Sequence, residues 1–338
     1  MERENCNMIH LVNKKQCRVL LTDVGAGIVS VLVPDKNNQL RDIVLGYSDE
    51  ESYYNDGPCS GKIPGRFAGR IARGKFSIDG REFQLRINNG ENHLHGGPAG
   101  FANKKWNVVE ATDQRVIFSL TSPDGDENYP GTMEVTAEYN WSDENVLTLD
   151  IKARCDKDTI VNLTNHTYWN LKGEDSGSIL DHFMTIHSEK WLPTDAGLVP
   201  TGEFESVENT PMDFRNAKKI GQEINNDFQA LKFGKGYDNC WMLEEKEGVK
   251  KGVELFEETS GLALEVWTNQ PAVVIYTGNW LAGSPESKSN RSYNDYDGVA
   301  IECQGCPDAP NHKKFPNAIL RAGEEYHNRI EFRIKTIE

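Results

Sequence analysis

Hydrophobic and polar residues alternate with a period of two along most of the chain. In TMEVTAEYNW (132–141) and VLTLDIKAR (146–154) every second residue is apolar, which is the pattern of a strand with one buried face. The other segments predicted to be strands on this basis are CRVLLTD (17–23), GIVSVLV (27–33), KFSIDGREFQL (75–85), WNVVEA (106–111), RVIFSLT (115–121), LALEVWT (262–268), AVVIYTG (272–278), VAIECQ (299–304) and YHNRIEFRIK (326–335). Turn signals lie between strands, such as Asp79-Gly80, which predicts a hairpin inside 75–85.

Helical character is confined to short stretches, chiefly NAKKIGQEINND (216–227) and SDEESYYN (48–55). Strands at regular spacing without βαβ alternation favour a β-sandwich or a β-barrel. No flexible linker and no repeat of fixed period divides the sequence. The economical prediction is an all-β protein, a large antiparallel β-sandwich with a few short helices, that forms a single domain over residues 1–338.

The chain is acidic, which limits the partners that it can have. It contains 37 Lys and Arg residues against 52 Asp and Glu residues, a net charge of −15. Such a chain is repelled by phosphate backbones and by anionic membranes. We therefore expect a small-molecule ligand, with neither nucleic acid nor a membrane as a partner.

The beginning of the chain and the cysteines bear on where the protein works. Residues 1–14 carry charges and amides where a signal peptide would be apolar, and no later apolar run approaches the length of about 20 residues that spans a bilayer. The seven cysteines, an odd number, indicate free thiols in a reducing compartment. We expect a soluble, cytoplasmic protein.

A candidate acid/base residue, His166, lies in NLTNHTYWNL (162–171). Strand alternation places His166, Tyr168 and Asn170 on one face and hydrophobic bulk such as Trp169 on the other. A polar face of this kind is typical of a strand that lines a cleft. A purely structural, hydrogen-bonded histidine is the alternative for His166, and the polar residues on its face argue against it.

Histidines also occur in the glycine-rich loop NNGENHLHGGPAGF (88–101). His93 and His95 would point to the same side of a strand, as a pair of metal ligands could, but the sequence places no further ligand nearby. The glycines form no phosphate-binding motif, and we expect them to let the backbone pass close to a bound ligand. Neither a metal nor a cofactor is expected.

Further residues in the chain have side chains suited to binding a sugar. GRFAGRIARG (65–74) carries three arginines, which could form a solvated turn or a donor array for hydroxyls. Asp238 lies among aromatic residues in KGYDNCW (235–241), and Gln270 lies at a strand–proline junction in WTNQPAVVIYTGN (267–279). Carboxylate, amide, guanidinium and imidazole groups at strand ends together indicate carbohydrate binding.

The stretch AIECQGCPDAP (300–310) contains a C-x-x-C pair directly after an acidic residue. Alternation directs Glu302 to the same face as Gln304 and sends Cys303 to the opposite face, where we expect it to pack in the core. The proline-rich continuation cannot begin the helix that activates a thioredoxin-like thiol, and no second C-x-x-C completes a zinc ribbon. The carboxylate of Glu302 is therefore the expected functional group.

These stretches resemble the galactose mutarotase (aldose 1-epimerase) family. The matching segments run in the family's order over roughly residues 61–327, and they are GRFAGRI, NHLHGG, NHTYWNL, GYDNCW, NQPAVVIYTGN, IECQGCPDAPN and FPNAILRAGEEY. The resemblance implies a large antiparallel β-sandwich that needs no metal. It implies that Glu302 is the catalytic base and His166 the catalytic acid, which open and reclose the ring of a free aldose such as galactose or glucose. It further implies that the sugar is bound by Arg70, His95, Tyr168, Asp238 and Gln270.

The chain departs from the family's pattern at positions near these residues. Gly69 replaces a common asparagine, and Asn239-Cys240 replaces a more usual His-Asn. Cys303 and Gly305-Cys306 replace residues that are commonly threonine and bulkier groups. These changes leave the acid and the base in place and bear on which sugar is preferred.

Other functions stay open from the sequence alone. A glycoside hydrolase would use Glu302 and Asp238 as a pair of carboxylates. A non-catalytic sugar-binding module could share the fold, although it would gain nothing from a carboxylate and an imidazole held together. The sequence leaves both a monomer and a homodimer possible.

Overall fold

The structure is a computed structural model that describes residues 8–337, and β-strands dominate it. In the first half of the chain the strands are β1 Met8–Val12, β2 Arg18–Thr22, β3 Gly27–Pro34, β4 Leu40–Asp42, β5 Arg70–Ile71, β6 Lys75–Ile78, β7 Arg81–Gln84, β8 His93–Leu94, β9 Asn107–Ala111, β10 Arg115–Ser122, β11 Met133–Trp141, β12 Val146–Cys155 and β13 Thr159–Ile160. In the second half they are β14 Tyr168–Trp169, β15 Phe183–Ile186, β16 Lys190–Leu192, β17 Glu205–Ser206, β18 Lys218–Lys219, β19 Asp238–Met242, β20 Lys250–Glu257, β21 Leu262–Thr268, β22 Ala272–Tyr276, β23 Val299–Gln304, β24 Ile319–Leu320 and β25 Glu325–Thr336. Every segment predicted from alternation contains a strand. Cys6 and the outermost ends of the predicted domain lie outside the described residues.

The strands form large antiparallel sheets. The largest sheet has nine strands in the order β18-β15-β20-β21-β25-β12-β11-β10-β9. A second sheet has six strands in the order β14-β23-β22-β19-β16-β17, and a third has the four strands β1 to β4. Smaller pairs join β5 to β8, β6 to β7 and β13 to β24. The β6–β7 pair is the hairpin that Asp79-Gly80 predicts.

The six-stranded sheet packs one face against the nine-stranded sheet. Residues of both sheets belong to one buried hydrophobic cluster, and the rings of Trp169 on β14 and Phe332 on β25 lie 5.0 Å apart. Ile301 and Cys303 on β23 belong to the same cluster, so the odd-numbered residues of that strand face the core. This architecture confirms the predicted all-β sandwich, and it leaves the even-numbered face of the six-stranded sheet free to form a site.

The helices are short, and one of the two helix predictions is wrong. Among the described residues the α-helices are α1 Glu50–Tyr54 and α2 Gln229–Gly234, and the 3-10 helices are Ala72–Gly74, Phe101–Asn103, Asp126–Asn128, Ile220–Gln222 and Ala309–Asn311. Helix α1 confirms the prediction for 48–55, and its N-cap Asp49 accepts a hydrogen bond from the backbone of Ser52.

The predicted helix at 216–227 is instead a two-residue strand, a 3-10 turn and loops. Its asparagines and aspartate favour turns over a helix interior. Gly221 also packs against the backbone of Leu180, where a Cβ would have no room. Tertiary packing therefore determines the conformation of residues 216–227. Within residues 8–337 no helix combines the length and the apolar character that spanning a bilayer requires.

Candidate active site

The free face of the six-stranded sheet is the floor of a cleft of about 600 Å³. Side chains across the sheet form rows, because residues paired between neighbouring strands lie side by side. One row contains Glu302, Val274 and Cys240, and the next contains Tyr276 and Asp238. All five residues line the cleft. The alternation that the sequence shows for β23 therefore places Glu302 in the site and Cys303 in the core, as predicted.

Glu302 and His166 meet at this floor. The Nε2 atom of His166 lies 3.4 Å from Oε1 of Glu302, and both side chains are about 95% buried. Two backbone hydrogen bonds, each 2.9 Å long, position His166. Its N–H donates to the Lys62 carbonyl, and its carbonyl accepts from the Gly61 N–H. Oε2 of Glu302 and Nδ1 of His166 are buried without a partner among the described residues. The pair is positioned by the fold and keeps hydrogen-bonding capacity for a ligand.

Burial shifts the pKa values of this pair in opposite directions. It raises the pKa of the Glu302 carboxyl well above its usual range, and the nearby Asp238 carboxylate adds to the rise while Arg70 opposes it. Burial lowers the pKa of His166 to about 4, and the positive charge of Lys62 contributes to the decrease. The cleft therefore favours the neutral form of both groups, with one proton between them.

His95 completes a cluster with the pair. Its ring packs edge-to-face against that of His166, with centroids 5.2 Å apart. The Gly69 N–H donates a 3.2 Å hydrogen bond to Nδ1 of His95, so the neutral ring carries its proton on Nε2. Burial, together with the electrostatic effect of the neighbouring His166 and Arg70, lowers the pKa of His95 well below its ordinary value. His95 is therefore a neutral hydrogen-bond donor.

Arg70 and Asp238 form the polar wall of the cleft. The Arg70 guanidinium lies 3.5 Å from the Asp238 carboxylate, and its Nε donates to Asn89 Oδ1 at 3.1 Å. The turn after β23 holds this wall in place, since the Asp308 N–H donates to the Arg70 carbonyl and the Asp308 carboxylate accepts from the Ala72 N–H. The PDAP turn thus connects the strand of Glu302 to the strand of Arg70.

Aromatic rings complete the lining. Tyr168 lies against His166, and its hydroxyl donates to the Pro58 carbonyl at 3.0 Å. Tyr276 stacks on Trp280, whose ring is 47% exposed at the cleft. Sequence analysis missed Tyr276 and Trp280. The alternation of β22 was the signal for Tyr276, whereas Trp280 follows the strand in a loop that has no periodicity.

Gln270 is not brought into the cleft. Its side-chain Nε2 donates to the His327 carbonyl at 3.1 Å and to Asn269 Oδ1 at 3.0 Å, and Gln270 is not among the residues that line the cleft. It lies in the turn before β22 begins, where the alternation of the strand does not extend. The residue of this segment that lies beside Glu302 on the cleft floor is Val274.

Other candidates have structural positions. Arg66 is buried and donates to the Ser122 hydroxyl and to four backbone carbonyls, and Arg73 is exposed, so Arg70 alone of the three arginines reaches the cleft. Asn170 donates to the carbonyls of Gly177 and Asp297 and does not line the cleft, because strand β14 ends at Trp169. The predicted polar face of this segment is therefore limited to His166 and Tyr168.

The loop that contains His93 and His95 is also built differently from the prediction. His93 contacts the Tyr129 hydroxyl and the Arg86 carbonyl, away from His95, because His95 has a positive φ of 52° that ends the strand alternation. A Cβ on Gly96 would lie 1.7 Å from the Gly65 carbonyl oxygen. The glycine thus allows two protein segments to approach each other, and the predicted approach to a ligand is wrong at this position.

The cysteines near the site are free thiols. Cys303 lies in the core, Cys306 is buried with its sulfur 3.4 Å from that of Met242, and Cys240 lines the cleft beside Val274. No disulfide is present among the six described cysteines, and burial raises the pKa of Cys303 to about 12. The thiol of Cys303 is therefore held in its protonated form within the core.

Among the described residues there is one group of side chains that could coordinate a metal ion. His95, His166 and Glu302 each offer a ligand atom, and these atoms lie within 4.8 Å of one another. Two histidines and a carboxylate are a known zinc ligand set. Two of these residues, His166 and Glu302, are those that proton transfer would use, so metal binding and acid/base chemistry are competing uses of this cluster.

Comparisons with known proteins agree with the fold. The sequence profile of the family described as "Aldose 1-epimerase" matches residues 7–333. Aldose 1-epimerase of Escherichia coli (strain K12) is 37% identical over 328 residues, which cover 96% of this chain and 94% of that protein. Galactose mutarotase of Bos taurus is 39% identical over 318 residues, covering 94% and 91%. The crystal structure of an aldose epimerase homologue from C. elegans has a TM-score of 0.91 at 30% identity, covering 98% of this chain and 100% of that one. The chain therefore belongs to the aldose 1-epimerase family.

Proposed function

We propose that this protein is a mutarotase, an isomerase that interconverts the α and β anomers of free aldohexoses such as galactose and glucose. The observation that carries the proposal is the contact of 3.4 Å between His166 Nε2 and Glu302 Oε1 at the floor of a polar cleft. Membership of the aldose 1-epimerase family supports the same reaction.

The proposed reaction needs one proton acceptor and one proton donor. Glu302 takes the proton from the O1 hydroxyl while His166 gives a proton to the ring oxygen O5, so that the C1–O5 bond breaks and C1 becomes an aldehyde. Rotation about C1–C2 presents the other face, and the ring recloses as the two protons return. The pair carries one proton before and after each step, so no proton is consumed. Each positioned transfer typically contributes about 10²–10⁴-fold in rate.

The polar wall would hold the sugar while C1 turns. Arg70 and the Nε2–H of His95 are donors to hydroxyl oxygens, and Asp238 is an acceptor for hydroxyl protons. Tyr168, whose hydroxyl is engaged by Pro58, would contribute its ring face and its position against His166. We leave Gln270 out of the proposed site because its side chain is bound elsewhere.

Polarimetry on freshly dissolved α-D-galactose and α-D-glucose tests the proposal. We expect acceleration over buffer at pH 7, and Glu302→Gln and His166→Asn are each expected to lose most of it while remaining folded. A second His–Glu pair outside the cleft supplies matched controls, because His187 Nε2 lies 2.8 Å from Glu254 Oε1. His187→Asn and Glu254→Gln should keep the full rate. Absence of acceleration by the unsubstituted protein would refute the proposal.

A glycoside hydrolase is supported less well. In that mechanism Asp238 would act across the sugar from Glu302, whereas Asp238 pairs with Arg70 and His166 is the group in contact with Glu302. Release of reducing sugar from a galactoside would be the decisive result in its favour.

The remaining proposals concern the setting of the enzyme. We propose that residues 1–338 form one aldose 1-epimerase domain, which the family match over residues 7–333 supports. The free aldose is its partner, and the six described free thiols suit a reducing cytoplasm. Sedimentation at micromolar concentration would distinguish a monomer from a homodimer.

A further inference from the structure

Gln304 is a buried polar residue in the cleft that the proposed proton transfers do not use. It is the last residue of β23, two residues beyond Glu302 and on the same face of the sheet. Its side chain is fully buried and lines the cleft, and its neighbour on β22 is Ala272, which offers no hydrogen bond. The polar character of this part of the floor therefore comes from Gln304.

The side-chain amide of Gln304 has a defined orientation. Its Nε2 donates to the Gly305 carbonyl at 3.2 Å, and a carbonyl can only accept, so the nitrogen must face Gly305. The oxygen Oε1 then points the other way, where it is buried without a partner among the described residues. A buried acceptor without a donor is unfavourable, and a ligand hydroxyl would satisfy it.

Gln304 lines the cleft, and the chain segment beside its amide nitrogen carries no side chain there. A Cβ placed on Gly69 would lie 3.4 Å from Gln304 Nε2, so the glycine keeps the nitrogen side of the amide free of a further side chain. Gly69 has a φ of +80°, and Pro307 would lie 3.0 Å from its Cβ, which keeps the position a glycine. The Gly69 N–H is already used by His95. Gln304 is therefore the polar group available beside Gly69.

We propose that Oε1 of Gln304 accepts a hydrogen bond from a hydroxyl of the aldose other than O1 and thereby selects among sugars. This inference rests on the proposed mutarotase function and adds a specificity-determining residue to it. Gln304 takes no part in proton transfer, so its removal should weaken binding of the sugar and of the transition state without changing how the rate depends on pH.

The test combines a substitution with sugars that lack single hydroxyls. Gln304→Met removes the acceptor and keeps the length of the side chain, and Gln304→Asn is a second variant that keeps an amide but withdraws it from the cleft. Gln84→Met is the matched control, because that glutamine is exposed on the β6–β7 hairpin outside the cleft and donates to backbone carbonyls. Exchange spectroscopy by NMR measures anomer interconversion at equilibrium for D-galactose and its 2-, 3-, 4- and 6-deoxy derivatives, and thermal melting checks that each variant is folded.

We expect Gln304→Met to lower kcat/KM for galactose about tenfold, which corresponds to one hydrogen bond of about 1.4 kcal/mol. For one deoxy sugar, the one that lacks the contacted hydroxyl, the variant and the unsubstituted enzyme should be equally active. Equal losses on every sugar, or no loss on any, would overturn the inference, since a structural role does not depend on the substrate. An unsubstituted enzyme that fails to exchange the anomers would instead refute the proposed function.

Discussion

Replacing Lys62 tests how much the buried ion pair of Lys62 and Asp56, next to the cleft, contributes to the free energy of unfolding. The side chains of Lys62 and Asp56 are fully buried, with Nζ 3.4 Å from Oδ2. Lys62 Nζ also donates to the Tyr53 carbonyl at 2.6 Å, and its backbone carbonyl accepts from the N–H of His166. The segment between the two ionic residues includes Pro58, which lines the cleft and holds Tyr168.

The expected magnitude follows from burial. Lys62→Met leaves the Asp56 carboxylate without its counter-charge in a site that water does not reach, and removing one partner of such a pair costs about 3–5 kcal/mol. Asp56 keeps its hydrogen bond from the Tyr47 hydroxyl, so the double variant Lys62→Met with Asp56→Asn should recover part of the loss. The positive charge of Lys62 lowers the pKa of His166, so the single variant should also move the acid limb of kcat/KM to higher pH.

Urea unfolding followed by tryptophan fluorescence measures the free energy, and polarimetry measures the pH profile. Lys314→Met is the matched control, because Lys314 pairs with Glu203 while both side chains are more than 60% exposed. That substitution should change the unfolding free energy by less than about 1 kcal/mol. If Lys62→Met also changes the unfolding free energy by less than about 1 kcal/mol, the buried pair of Lys62 and Asp56 does not stabilise the fold and the prediction is wrong.

Three further predictions concern the reaction itself. The pH profile of kcat/KM should be bell-shaped. Activity should fall below about pH 4, where His166 is protonated and the pair carries two protons, and it should fall again at alkaline pH, where Glu302, whose pKa is raised, loses its proton. A loss of activity already near pH 6.5 on the acid side would contradict the effect of burial on His166. Trp280→Ala should raise KM several-fold with little change in kcat, because the half-exposed Trp280 offers a platform for the C–H face of a sugar. In the same steady-state assay Trp280→Phe should have a KM between those of the alanine variant and the unsubstituted enzyme. Dialysis against EDTA should leave the rate unchanged, whereas a loss that Zn²⁺ restores would show that the cluster around His95 holds a metal.

The fold was largely predictable because strand alternation records which face is buried. Every segment chosen by period two contains a strand, and most of these strands bury one face in the core, although β9 is exposed throughout. Strand β20 was missed, because a bulge between Lys251 and Val253 interrupts its alternation where Gly252 stands. The helix predicted at 216–227 was wrong because the local pattern suggested a helix, whereas the backbone of this segment pairs with strand β15 and the Gly221 N–H donates to the Leu180 carbonyl.

The candidate site was predictable where its residues lie on strands. Alternation alone puts Glu302 on the cleft face, and the rows of the sheet then bring it beside Val274. Residues placed by loops were harder to predict. Gln270 lies one residue before a proline that begins the strand region, so nothing in its spacing shows that it binds His327 instead of a ligand. His95 depends on a positive φ that the sequence does not reveal.

The opposite pKa shifts of Glu302 and His166 suit the proposed reaction because ring opening moves one proton within the pair. In water a histidine holds a proton more tightly than a glutamate by about 2 pKa units, or about 3 kcal/mol, so the charged arrangement that starts the reaction would be favoured over the neutral one that follows ring opening. Burial raises the pKa of Glu302 and lowers that of His166, which shifts the preference toward the neutral arrangement that follows ring opening. Arg70 opposes the rise at Glu302 and so helps to keep the charged arrangement that starts the reaction within reach. A substitution that exposes the pair to water, such as Tyr168→Ala, should therefore slow ring opening even though both catalytic groups remain, and comparison of its kcat with that of Tyr168→Phe measures the effect. Equal kcat values in both variants would show that burial of the pair does not govern the barrier.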